Sequence, residues 1–194
     1  MNYNDFMTHT KKLFNQLSIK CLNYEHESYP TFLNNFINHI NTIEEKKEQV
    51  NIDDIINIMF DVIISNCWFQ YSSFNHREIK YLFNQRITQS ISTFQKKNQE
   101  YVSKYNNTTE PDILENFKMP KLYNINISPE NVLIGYLRKH FMSIIQILTY
   151  IEKHVKDDEW MSSFIPDNND IIQEKLGDIF IYMMIFNGLI NDKK

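Results

Sequence analysis

Apolar residues recur along nearly the whole chain at intervals of three, four and seven, the spacing that lines one face of an α-helix. Residues 4–23 carry Phe6, Leu13, Phe14, Leu17 and Cys21 in that pattern. Tyr29-Pro30 interrupts it, and Thr31 opens a second helix through Ile43, with a charged, solvated tail EEKKEQ at 44–49. Asn51 or Asp53 caps a third, IDDIINIMFDVIISNCWFQY, apolar enough to lie centrally. A fourth runs from near His76 to about Tyr105, with Ile79, Phe83, Ile87, Ser90, Phe94, Asn98 and Tyr101 on one stripe. Ser128-Pro129-Glu130 places a cap, a proline and an acid at the start of a fifth helix, which extends to about Lys156. The sixth is IIQEKLGDIFIYMMIFNGLI, residues 171–190.

Two segments lack this periodicity and are expected as loops, 106–127 and 157–168. The first is long for a compact domain, so it is either a functional loop or holds a short helix around PDILENF. LYNINIS (122–128) alternates, but one short strand has nothing to pair with. The expected class is therefore all-α, a helical bundle of about six helices. Residues 52–64 and 171–183 look alike, each a buried helix with a central aspartate, Asp61 and Asp178. An old duplication would produce this likeness, and so would shared composition.

Composition narrows the possibilities. With 194 residues, 42% hydrophobic and 14% aromatic, the chain buries a core and is not disordered. A net charge of −4 offers no electrostatic footprint for duplex nucleic acid, though a local basic pocket for a phosphorylated ligand is compatible with it. Two cysteines without paired spacing, Cys21 and Cys67, suit a reducing cytosol. The first residues show no signal peptide, and the most apolar helix is broken by Glu174, Lys175, Asp178 and Asn187, so neither export nor a membrane span is expected. Alanine is absent and glycine occurs three times, the mark of AT-rich coding. Since alanine is the best helix former, its absence reports mutation pressure and does not argue against helices.

Three clusters carry candidate chemistry. Glu174 and Asp178 are four apart and share a helix face, where two carboxylates repel unless a cation stands between them. Mg²⁺ would suit, with waters and a ligand's phosphates completing its shell. First-turn acids favoured by the helix dipole are the plainer reading, stronger for Glu174 than for Asp178, which lies among Leu176, Ile179, Phe180 and Ile181. LRKHFMSII (137–145) supplies counter-charges, with His140 mid-arc and Arg138 and Lys139 at its edges. A histidine there is more often a core residue than a ligand. In FQKKNQEYV (94–102), Asn98 lies on the apolar stripe with Lys97 and Tyr101 nearby, and a buried Asn needs several hydrogen bonds.

Taken together, FQKKNQEY, ILENFK, ISPENVLIGYLRKHFMSI and EKLGDIFIYMM resemble a family of small phage and prophage proteins. These are similar to the all-α MazG-like nucleoside triphosphate pyrophosphohydrolases and to nucleotide-modification-associated domain proteins. The resemblance covers roughly 76–190 of a MazG-like helical part, 76–194. Residues 1–75 form an N-terminal helical region that matches nothing in it, although the two parts are expected to make one compact unit. The resemblance implies a helical bundle, often a dimer or tetramer, in a cytoplasm (the host's, if phage-encoded), with Mg²⁺ held by acids from two helices. Glu174 and Asp178 match the final acidic motif, but Lys175 stands where its second acid belongs, and Arg138, Lys139 and His140 occupy the helix that carries the other acids. Such a site suits a polyanion better than Mg²⁺. Three functions follow as expectations: a nucleotide-binding or -sequestering protein, for instance of a host defence signal, with Lys97, Asn98, Tyr101, Arg138, Lys139 and His140 at the ligand; an active Mg²⁺-dependent pyrophosphohydrolase; or a homodimeric bundle that inhibits a host protein partner. The nucleotide readings share one geometric requirement: the acids that open the last helix must meet 138–140 in a common cavity.

Overall fold

A computed structural model describes residues 1–70, 76–105, 112–115, 117–118, 126–154 and 156–193, with the backbone alone described over 97–105 and at 158. Among these residues there are six α-helices and no strand. They are α1 (Tyr3–Leu22), α2 (Tyr29–Lys46), α3 (Ile52–Gln70), α4 (His76–Tyr105), α5 (Pro129–Glu152) and α6 (Asp158–Asp192), with a 3₁₀ turn at Lys47–Gln49 after α2. No described helix is long and apolar enough to cross a membrane.

Local chemistry sets the helix starts. Asn2, Ser28, Ser128 and Asp157 each accept a backbone N–H from the first turn of α1, α2, α5 and α6. Asn51 Oδ1 accepts from the Asp53 and Asp54 N–H groups at 2.9 and 3.1 Å, and Asp54 Oδ2 accepts in return from the Asn51 N–H at 2.9 Å. This reciprocal capping starts α3. Ser28 places the start of α2 earlier than Thr31, with Pro30 inside the first turn, where its missing N–H costs nothing.

The largest departure from the sequence pattern is 157–168. Expected as a loop, it is the first third of α6, with Pro166 inside the helix. Trp160 and Phe164, one turn apart, stack at 4.4 Å, and His154 stacks on the other face of Trp160 at 4.4 Å. These rings, with Tyr150 against them, give the segment a tertiary partner that outweighs its proline and its polar run Asp167–Asp170. The other expected loop, 106–127, lies mostly outside the described residues, as does nearly all of LYNINIS. At its centre Asp112 Oδ1 accepts from the Leu114 N–H at 2.9 Å, and a helical turn closes where the Phe117 N–H donates to the Leu114 carbonyl at 3.0 Å. Leu114 is fully buried.

Helices α3 and α6 lie at the centre. Each packs on the other and on two outer helices of its own half: α1 and α2 for α3, α4 and α5 for α6. The remaining contacts are α1 with α4, α2 with α5, α3 with α4 and α1 with α6. Exchanging α1, α2 and α3 with α4, α5 and α6 maps this contact pattern onto itself. The buried positions obey the same exchange. At one constant offset Leu13, Phe14 and Leu17 of α1 fall on Leu82, Phe83 and Arg86 of α4. At another, Phe32, Leu33 and Phe36 of α2 fall on Leu133, Ile134 and Leu137 of α5. At a third, Ile55, Met59 and Val62 of α3 fall on Ile172, Leu176 and Ile179 of α6. The molecule is thus two three-helix units packed as equivalents; the α3–α6 offset sets Asp61 on Asp178 and places 52–64 on 169–181, two residues away from the likeness seen in the sequence.

Candidate functional site

The offsets that align the two halves also place His140 opposite His39, and Asp178 opposite Asp61. Each half therefore sets a histidine on its second helix against an aspartate on its third. In the first half the pair closes, with His39 Nδ1 and Asp61 Oδ2 2.6 Å apart. In the second half His140 Nδ1 stands 3.4 Å from Asp178 Oδ2 and makes no hydrogen bond to it. His140 is only 4% exposed, yet neither ring nitrogen has a hydrogen-bond partner. Burial pushes its pKa below the usual histidine value; the Asp178 carboxylate opposes this, while Lys139 and Lys175 add to it. The imidazole is therefore neutral at pH 7.

This opening is part of a cleft of about 340 Å³ between α5 and α6, lined by Lys139, His140, Ser143, Glu174, Lys175, Asp178 and Tyr182. The Glu174 carboxylate is exposed and turned to Lys175 Nζ at 2.7 Å, which holds its pKa below the usual range. Tyr182 extends the cleft into an aromatic shelf. Its ring stacks on Tyr136 with centroids 6.1 Å apart, and Phe117 meets Tyr136 edge-on at 6.2 Å. Tyr136 is 49% exposed, so one part of its ring remains open to solvent.

The structure thus brings Glu174 and Asp178 together with Lys139 and His140, two of the three residues at 138–140. It does not bring Arg138 to them. Arg138 projects the other way and pairs with Glu44 of α2 in an exposed ion pair. Lys97, Asn98 and Tyr101 lie on α4, but their side chains fall outside the described residues. Among the described residues no part of 106–127 or 157–168 lines the cleft; Phe117 reaches it only through Tyr136. Two cleft residues are absent from the sequence expectation, Ser143 and Tyr182. Ser143 follows His140 by three positions and Tyr182 follows Asp178 by four, so helical spacing from either anchor would have found them. Lys175 was noticed as a missing acid rather than as a ligand group.

The donor set does not suit Mg²⁺. The cleft sets its two carboxylates beside two lysines, Lys175 being paired with Glu174, and among the described residues no group of three or more His, Cys, Asp or Glu is arranged to hold a metal ion.

Fold and cleft together define an all-α bundle of two equivalent three-helix units with a charged, aromatic-edged pocket in one of them. No family model, curated protein or solved structure matched the chain.

Proposed function

We propose that the α5–α6 cleft binds a small phosphorylated ligand of the mononucleotide class and does not hydrolyse it. The observation that carries this reading is His140: its imidazole lines the cleft, and neither of its two buried ring nitrogens makes a hydrogen bond. Its counterpart His39 lies 2.6 Å from Asp61, whereas His140 Nδ1 stands 3.4 Å from Asp178 Oδ2 without a hydrogen bond. Lys139 and Lys175 supply phosphate contacts beside it. The half-exposed Tyr136 ring, stacked on Tyr182 at the edge of the cleft, offers an aromatic surface for a base. The cleft volume, at the low end of the ~300–1,000 Å³ typical of ligand pockets, favours a mononucleotide over anything larger. On this reading residues 76–190 are a charge-altered relative of the all-α pyrophosphohydrolases, suited to sequestering a nucleotide, such as a host defence signal in a phage-infected cell.

Thermal unfolding with AMP, ADP, GMP and inorganic pyrophosphate, with and without Mg²⁺, tests this. Saturating nucleotide should stabilise by about 2–3 kcal/mol at a hundredfold excess over Kd. Lys139→Glu combined with Lys175→Glu should abolish the effect. Because an anion favours protonated His140, whose free pKa lies below its usual value, affinity should rise as pH falls through the range where free His140 is neutral. Mg²⁺-dependent turnover lost in Asp178→Asn would replace this reading with the hydrolase. No response to any of the four ligands would leave the protein-binding bundle.

A further inference from the structure

The comparison between halves isolates a second feature, remote in chemistry from the cleft. At the position where α1 buries Leu17, α4 buries Arg86, 4% exposed. Among the described residues its one hydrogen bond runs from Nη2 to Gln173 Oε1 at 2.6 Å, and Gln173 in turn donates to Asn66 Oδ1 at 3.0 Å. Nε has no partner, and no carboxylate pairs with the guanidinium among the described residues. One turn along the same face, the buried Ser90 hydroxyl also lacks a partner. The counterpart of Ser90 in α1 is Cys21, a residue with little need of hydrogen bonds. On α6 the residue facing Arg86 is Gly177, where a methyl group would stand 3.2 Å from Nη1. The matching position on α3 is Phe60, so the second half has exchanged a leucine and a phenylalanine for a cation and the space to hold it.

Packing does not demand this exchange, because the first half solves the same junction with apolar groups. A buried cation without a counter-ion costs several kcal/mol. Burial alone draws the Arg86 pKa down to about 10, and no neighbouring charge opposes it.

We propose that Arg86 Nε and Ser90 Oγ, orphan donors one helical turn apart, bind a small monatomic anion of the chloride class at the α4–α6 junction. Side chains at this spacing leave the helix on one face with their Cβ atoms about 5–6 Å apart, so the two donors can turn to one shared acceptor. The site is independent of the α5–α6 cleft, and neither proposal depends on the other.

The test compares thermal midpoints in sodium chloride, sodium bromide and sodium gluconate at equal ionic strength, for the wild type, Arg86→Leu and Ser90→Ala. Chloride and bromide should raise the wild-type midpoint by several degrees over gluconate, saturably. Arg86→Leu copies the first half and so should fold, with no difference between the salts. Ser90→Ala should retain a weakened response. Chloride-35 line broadening on the wild type, removed by bromide, reads the same site without any substitution. A wild type indifferent to the anion, equal halide responses in wild type and Arg86→Leu, or no excess line broadening would each overturn the site.

Discussion

Asp61 is an acid in the middle of the most buried helix, 3% exposed, held against His39. Burial pushes its carboxyl up to about 6 from an ordinary 3.8, and the hydrogen bond from His39 and the charge of Lys20 only partly oppose this. A carboxyl raised in this way is protonated more readily in the folded chain than in the unfolded one. Folding therefore takes up a proton between about pH 4 and 6, and stability falls as pH rises through that window, levelling off above it. The roughly two-unit shift corresponds to about 2–3 kcal/mol. Asp61→Asn keeps an oxygen for His39 and removes the titration. Its stability, followed by urea unfolding from pH 4 to 7, should lack this fall, and a wild-type curve equally flat would show that Asp61 is not so shifted. The sequence showed Asp61 as a central aspartate but gave no sign of its partner, because His39 sits in the polar run NNFINHIN, where nothing distinguishes a bonded histidine from a solvated one. Arg86 was hidden for the opposite reason. On a helical stripe of Phe83, Ser90 and Phe94, a charged residue reads as outward-facing, and only coordinates reveal that it turns in.

Helix periodicity located the elements well where one face meets one neighbour. The bounds of α1 and α4 agree with the apolar spacing to within a residue or so, and α5 ends at Glu152, a turn before the expected Lys156. Periodicity failed at α6, where the first three turns hold only Trp160, Met161, Phe164 and Ile165 among polar residues and the chain contains Pro166. What holds those turns is contact with α5, a term that local pattern cannot contain. Trp160 is the middle ring of the stack, between His154 and Phe164. Replacing it by alanine removes two stacked pairs, each worth about 0.5–1.5 kcal/mol. Amides of 158–166 should then exchange with solvent at least about tenfold faster, while those of 176–186 keep their protection. Unchanged exchange in 158–166 would mean that the proline-containing segment is held by something other than the ring stack. The cleft was legible in the same partial sense: the acids and the histidine stood out by residue type, whereas Tyr136 and Tyr182 looked like ordinary core aromatics until α5 and α6 were paired.

At the scale of the whole molecule, the two halves use one packing scheme and divide the chemistry unequally. The first half hydrogen-bonds its histidine to its aspartate and buries Leu17 and Phe60 at its junction; the second holds the matching pair 3.4 Å apart and carries Arg86 and Gly177. The central helices make the halves interdependent. α3 is buried nearly all the way round because α6 covers one side, and α6 likewise depends on α3. A half on its own would expose that side, with Met59, Ile63 and Phe180 among the residues affected. Fragments 1–70 and 76–194 should therefore lack cooperative thermal unfolding when separate. Mixed, they should associate one to one and recover the helical circular dichroism of the intact chain. The resemblance that motivates the nucleotide reading covers only the second part, which makes the outcome informative: if 76–194 alone unfolds cooperatively at the midpoint of the full chain, the second half is an autonomous domain, and the first is an attachment rather than its structural equivalent.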